Sequence, residues 1–365
     1  MNGARVVVVG GFGNFGSRIC RRLSQEPALE IVATGRLVRG DQTGCVTGAR
    51  LDIDSPSLAQ DLAALSPNIV VHCAGPYQGQ DYRMAEATLA CGAHYVDLAD
   101  GRAFVAGFVA ALNARAQAAD RAAVTGASTL PALSSAVVDR LKSGLARLES
   151  IEVVIAPGQH APRGTATMAA VLGYAGQAFP WWLEGRWQTA YGWQELIRVR
   201  FPFGTRWAAA CDVPDLELFP AHYAGVKTVT FRAALEVPLQ HFVLWALAGL
   251  RRAGVPLPLR DWADGLNRLS SWLDRFGSDC GGMQVDVIGV SPQGERQRQT
   301  WQLTAEDNHG PEIPCMAAVL LASKLARGEF IPIGAHSCMD LLTLTEFESE
   351  FTRWAITTRS ETSKL

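Results

Sequence analysis

Gly11, Gly13 and Gly16 stand at the spacing G-x-G-x-x-G within RVVVVGGFGNFGSRICRR, residues 5–22. Residues 6–9 are continuously apolar and β-branched, which suits a strand buried on both faces, and a helix-compatible stretch follows the last glycine. Strand, glycine turn and helix in that order make a phosphate cradle. Gly11 allows the tight turn, Gly13 lets the backbone approach a diphosphate with no Cβ in the way, and Gly16 lets the helix pack closely on the strand. Unpaired N–H groups and the helix dipole both favour the anion. Gly10, Asn14 and Phe15 complete this turn as candidate dinucleotide-binding residues.

The second strand bears on which dinucleotide. An NAD-type site carries Asp or Glu at its end to accept the ribose 2′-hydroxyl. Residues 30–34 read as that strand, and they end on Gly35-Arg36. With no carboxylate to repel a 2′-phosphate and a guanidinium to pair with it, the site is expected to prefer NADP(H). The bland alternative is a solvated loop arginine. Ala74, Gly75 and Pro76, in the loop after residues 68–72, are expected to bind the cofactor through main-chain groups near the nicotinamide ribose.

Hydride transfer is the cofactor's chemistry, so the protein has to hold the substrate and sometimes supply a proton. Asp97, at the end of residues 94–98, could act in proton transfer if burial raises its pKa. Asp100 reads better as a helix cap. In His160-Ala161-Pro162-Arg163-Gly164-Thr165, Arg163 is placed to clamp a carboxylate with two parallel hydrogen bonds, and His160 is a candidate acid. A lone loop histidine is more often structural or solvated. His336 and Cys338 follow a late helix and could close over the cleft. Trp181, Trp182, Trp187, Trp193 and Trp207 read chiefly as core, with an apolar substrate wall as the other use.

The chain of 365 residues is long enough for two domains. Its 33 Lys+Arg against 35 Asp+Glu, without a basic block, argue against a nucleic-acid partner and leave a small-molecule substrate. Homo-oligomerisation stays open. The eight cysteines are scattered, with no C-x-x-C and no Cys/His cluster, so they read as reduced thiols and no metal site is expected. No leader-like apolar region opens the sequence, and residues 239–250 are too short to span a bilayer and contain His241. They read as a buried or groove-lining helix. The expected location is cytoplasmic; Ser363-Lys364-Leu365 is a peroxisomal address only in a eukaryote.

These groups need elements to position them. Residues 49–52 read as a third strand, 57–65 as a helix opened by Asp54 or Ser55, 81–91 and 102–119 as further helices, and 122–125 as a strand. Strands alternating with helices predict a doubly wound parallel sheet, with ligands at the carboxyl ends of its strands. The loops at 10–16, 73–79, 98–101 and 126–131 are then the ones to watch. Beyond residue 131 a helix over 132–145, a strand over 150–156 and a hairpin pairing 284–290 with 298–305 predict an α+β domain with a mixed or antiparallel sheet. A helix from Pro314 to about residue 326 has no sheet of its own and returns to the first domain. The expected division is 1–130 for a Rossmann domain, completed by 311–350, and 131–310 for a substrate-side domain.

The segments VVVVGGFGNFGSRI, VHCAGPYQGQ, ATLACGAHYVDLAD and GASTLPALSSAVVDRL resemble the saccharopine dehydrogenase/reductase-like family, over roughly the first 140 residues. The resemblance implies an NADP(H)-binding Rossmann domain and a second α/β domain joined by two crossovers, in a soluble oxidoreductase. APRGTATMAAVLGYAG and GEFIPIGAHSCMDLLTLTEF look like a bacterial branch whose substrate the resemblance does not fix. The second domain departs from the true saccharopine enzymes, so saccharopine itself is not implied. The expected activity is hydride transfer to or from a C=N/CH–NH or C=O/CH–OH centre of a small metabolite. A non-enzymatic NADP(H)-responsive binding or regulatory protein is the alternative, because a Rossmann turn argues binding and not catalysis.

Overall fold

The computed structural model describes residues 3–38, 46–162 and 165–365. The chain divides into two units, Met1–Leu133 with Glu312–Phe347 and Ser134–Pro311 with Glu348–Leu365. Residues 311–350, expected to return to the first unit, divide after Phe347, and the chain from Glu348 onward belongs to the second unit.

In the first unit the elements run β1 (Ala4–Val9), α1 (Asn14–Leu23), β2 (Leu29–Gly35), β3 (Val46–Arg50), α2 (Leu58–Ala64), β4 (Ile69–His72), α3 (Arg83–Ala90), β5 (His94–Asp97), α4 (Arg102–Ala118) and β6 (Ala122–Thr125). A later strand, Gly334–Ser337, joins them in a seven-stranded sheet of order Gly334–Ser337, β6, β5, β4, β1, β2, β3. All of its pairings are parallel. Parallel strands flanked by crossovers must be apolar on both faces, and Val6, Val7, Val8 and Val9 are accordingly buried. Strand order reverses between β1 and β4, which opens a crevice at their carboxyl ends. The third strand lies at Val46–Arg50 and not at 49–52. As an edge strand, with Thr47, Gly48 and Arg50 exposed, it has no apolar run to mark it. The helix expected over 132–145 is a π-type turn, Thr129–Leu133, followed by an α-helix, Ser134–Lys142. The returning helix is Ile313–Ala326, docked on α1 where Glu312 accepts hydrogen bonds from Arg18 and Arg21.

The second unit is built on a nine-stranded mixed sheet. Its path runs Ile197–Phe201, Gly204–Ala210, Thr228–Ala234, Arg147–Ala156, Gly281–Val290, Arg296–Ala305 and Ile356–Lys364, with the hairpin Ala178–Leu183 and Arg186–Tyr191 branching from Thr228–Ala234. Along this path the pairing of Thr228–Ala234 with Arg147–Ala156 is parallel and the others are antiparallel. The expected hairpin is present and longer at both ends, turning through Gly294 at φ +84°. Ser363 and Lys364 are paired to Arg298 and Gln297, so the last residues lie in a sheet edge and not in a free tail. Trp181 and Trp193 are core, while Trp187 is exposed.

Among the described residues no helix is long and apolar enough to cross a membrane. The helix Pro238–Arg252, expected as a buried or groove-lining element, buries His241, Leu244 and Ala248 and exposes Leu239, Phe242 and Val243.

Candidate cofactor cradle

The glycine turn joins β1 to α1. Gly10 has φ +77°, and a Cβ there would lie 3.0 Å from the Ala74 nitrogen, so this residue carries both the left-handed turn and the close approach to the loop after β4. Gly11 donates to the Thr34 carbonyl at 2.9 Å, and a Cβ on it would stand 2.8 Å from the Ala33 Cα. Gly16 packs against Gly10 and Gly11 and brings the helix onto the turn. Gly13 differs from these. Among the described residues, a Cβ on Gly13 would meet only the Gly10 carbonyl oxygen, at 3.1 Å, so open ground lies before it. Gly13 is also the N-cap of α1, and no side chain among the described residues caps that helix. An anion is the group that such an end accommodates.

At the end of β2, Thr34 is buried with its hydroxyl on the Val8 carbonyl, and the Phe12 ring lies against Gly35. Arg36 is exposed beyond them. β3 runs parallel to β2 with Arg50 paired to Gly35, so a second exposed guanidinium stands abreast of the β2 terminus. Sequence reading passes over Arg50 because only strand register brings it there.

The loop after β4 is tightly held. The Tyr77 hydroxyl donates to the His72 carbonyl at 2.7 Å, and Gln80 Nε2 donates to the Ala74 and Pro76 carbonyls, each at 2.8 Å. Gly75 is exposed, with Ala74 and Pro76 half-buried around it. Beneath the loop, His72 Nδ1 lies 3.0 Å from the Tyr95 hydroxyl, and burial pushes the imidazole pKa down to about 4, so the ring is neutral.

Asp97 is fully buried. Its Oδ1 accepts from the Ala99 N–H at 2.9 Å, the Gly126 N–H at 2.8 Å and the Thr125 hydroxyl at 2.9 Å. Burial raises its pKa to about 6, although these bonds favour the charged form. Through Oδ1 the carboxylate clamps the ends of β5 and β6 together, and the side chain is buried from solvent. Asp100 is no cap, since Gly101 takes the N-cap position of α4 with no side-chain bond.

His336 sits on the edge strand Gly334–Ser337, with Nε2 3.0 Å from the Pro332 carbonyl, and Cys338 is buried. In the second unit His160 is exposed, with Nε2 2.9 Å from the Asp274 carbonyl. Arg163 and Gly164 lie outside the described residues, as does the Thr165 side chain. The loop that leads to them is held by Glu236, a residue with no sequence signature. It accepts from the Gln159 N–H at 2.7 Å and the Ser278 N–H at 2.9 Å, and pairs with Arg206 at 2.8 Å. Burial raises the Glu236 pKa, but these partners outweigh it and hold the carboxyl below its ordinary value.

Residues 6–96, from β1 to β5, match the model of the NAD dependent epimerase/dehydratase family. No curated protein matches the chain by sequence. Among solved structures, the L-glutamate-forming saccharopine dehydrogenase of Saccharomyces cerevisiae is similar at a TM-score of 0.70 and 12% identity, covering 99% of this chain and 100% of that one. The homospermidine synthase of Legionella pneumophila, solved with NAD, is similar at 0.59 and 9%, covering 99% and 91%. The DAP dehydrogenase of C. glutamicum, solved with DAP, is similar at 0.50 and 14%, covering 94% and 95%. At these identities the likeness establishes the fold. It is the fold that the sequence resemblance implies.

Proposed function

We propose, from a chain that carries the saccharopine dehydrogenase type of fold, that the protein is an NADP(H)-dependent oxidoreductase acting on a C=N/CH–NH or C=O/CH–OH centre of a small metabolite. The observation that carries this reading is the pairing of an open, uncapped glycine turn at Gly13 with two guanidinium groups, Arg36 and Arg50, at the β2 end. The diphosphate fits against Gly13 and the first turn of α1, with Gly11, Asn14, Phe15 and Gly16 shaping the turn. Arg36, helped by Arg50, suits a 2′-phosphate better than a 2′-hydroxyl. Ala74, Gly75 and Pro76 offer a stiff backbone edge for the nicotinamide ribose, because Gln80 and Tyr77 fix their loop. When bound, NADP(H) supplies the hydride.

Asp97 then acts as a positioning residue, holding the strand-end loops that flank the crevice. Arg163 is the proposed anchor for an anionic part of the substrate, and His160 and His336 remain candidate proton donors. Titration calorimetry with NADPH and NADH tests the cofactor assignment. NADPH oxidation in the presence of imines, ketones and aldehydes tests the reaction. Equal affinity for the two nucleotides sinks the first assignment.

A second reading is favoured by one observation: Asp97, His160 and His336 all have side-chain atoms bonded to main-chain groups of the protein. A non-enzymatic NADP(H)-responsive binder has no need of a free acid. Tight NADPH binding without turnover across that panel selects it.

A further inference from the structure

The main path of the second unit's sheet has two ends, and they differ. At one, the strand Ile197–Phe201 is five residues long, and its Arg200 carbonyl already accepts from Gln302 Nε2 at 2.8 Å. At the other, Ile356–Lys364 runs for nine residues, and from Thr357 to Lys364 every residue is exposed. Its inner side is paired along Arg296–Ala305 in an unbroken register. The phase of that ladder is fixed at both ends, where the Leu365 N–H donates to the Arg296 carbonyl at 3.0 Å and the Glu306 N–H to the Ala355 carbonyl at 2.9 Å. Hydrogen-bonded pairs alternate along an antiparallel ladder, so Thr357, Arg359, Glu361 and Ser363 direct their main-chain groups to the inner strand. Thr358, Ser360, Thr362 and Lys364 turn theirs outward, and among the described residues no main-chain group meets them.

A long open edge invites another strand unless a proline, a bulge or an unmatched charge blocks it. ITTRSETSK has no proline, and its ladder has no bulge. Lys364 is held by Glu295 at 2.7 Å, which leaves Arg359 and Glu361 as the charges in the middle of the strand, both on one face of the sheet. A second copy pairing antiparallel with this edge does so about a two-fold axis, and matching outward groups to outward groups requires that one residue face itself. The charges then select the residue. An axis at Arg359 or at Glu361 sets that charge against its own copy, and an axis at Thr358 or Thr362 gives neither a charged neighbour. An axis at Ser360 sets Arg359 opposite Glu361 of the second copy and Glu361 opposite its Arg359. Both are non-hydrogen-bonded pairs, in which cross-strand side chains come closest. We infer that two copies of the chain join their sheets edge to edge through Ile356–Lys364, antiparallel about a two-fold axis at Ser360. Each strand takes one neighbour, so the edge is closed and assembly through it stops at the dimer.

The inference is independent of the redox reading. It is tested by sedimentation velocity of the full chain, which should show monomer and dimer in equilibrium. Arg359→Glu and Glu361→Arg each bring like charges together twice across the axis, and each should weaken the dimer by roughly tenfold. Mixed in equal amounts, the two variants should recover it as a heterodimer, because each supplies the charge that the other needs. Ser360→Pro removes an outward N–H and leaves the inner ladder whole, so it should abolish the dimer while melting near the parent temperature. Three outcomes overturn the inference: a parent chain that is monomeric at every concentration, a dimer that none of the three variants weakens, or a dimer that the charge variants weaken and their mixture does not recover.

Discussion

Gly16 packs so closely on Gly10 that a side chain at position 16 would overlap the Gly10 carbonyl and stand 2.8 Å from the Gly11 Cα. Gly13, three residues earlier, faces open ground. The two glycines should therefore fail differently. Gly16→Val forces the helix off the turn and should lower stability by about 1–3 kcal/mol or more. Gly13→Val should melt near the parent temperature and lose NADPH binding. Thermal melts and calorimetric titration of both variants check this; retained NADPH affinity in a folded Gly13→Val protein would mean the diphosphate lies elsewhere.

Arg36→Ala should weaken NADPH by roughly ten- to a hundredfold, the worth of a charge-assisted hydrogen bond of about 1.5–3 kcal/mol. Affinity for NADH should not move. Arg50→Ala should shift the same way by less, since Arg50 reaches the β2 end only through the parallel register with Gly35. If the two nucleotides lose affinity together, the arginines serve the fold and not the 2′-phosphate.

Asp215 is fully buried, and burial raises its pKa to about 7, against an unfolded value of about 3.9. A raised carboxyl pKa means the folded state binds the proton more tightly than the unfolded state does. The stabilisation is then full below about pH 4 and is lost as pH rises through about 7, up to a limit on the order of 4 kcal/mol. Asp215→Asn should melt above the parent at pH 8, by a margin that shrinks toward pH 4. A margin constant with pH counts against a buried titration at this position.

Glu236→Gln removes the charge that Arg206 pairs with at 2.8 Å. Both side chains are largely buried, so the loss of a charged hydrogen bond should cost about 1–3 kcal/mol. The main-chain bonds from Gln159 and Ser278 weaken with it, and residues 157–162 should become the first site cut in limited proteolysis. Unchanged melting and unchanged cleavage would leave Glu236 without the anchoring role.

The parallel unit is legible in the sequence because its central strands are uninterrupted apolar runs, and the glycine spacing between β1 and α1 is a local pattern. The illegible parts depend on partners distant along the chain. β3 is an edge strand, so VTGAR shows no hydrophobic period. Asp97 reads as an available carboxylate until Thr125 and Gly126 arrive from the next strand to take its Oδ1. Arg50 and Glu236 owe their places to register and to loop packing, which leave no spacing in the chain. The helix Pro238–Arg252 reads as buried or groove-lining because its apolar residues cover both sides, and composition alone does not tell a core from an uncovered face.

The helix Ile313–Ala326 and the strand Gly334–Ser337 complete the first unit from beyond the second. On the ribosome, the N-terminal sheet therefore waits for residues 134–311 to be made, roughly 10 to 40 s at ordinary elongation rates. During that interval β6 is an open parallel edge and the face of α1 that later receives Glu312 is bare. Early binding of a dinucleotide at the finished glycine turn, or a chaperone on the open edge, would shelter the nascent unit until its last strand arrives.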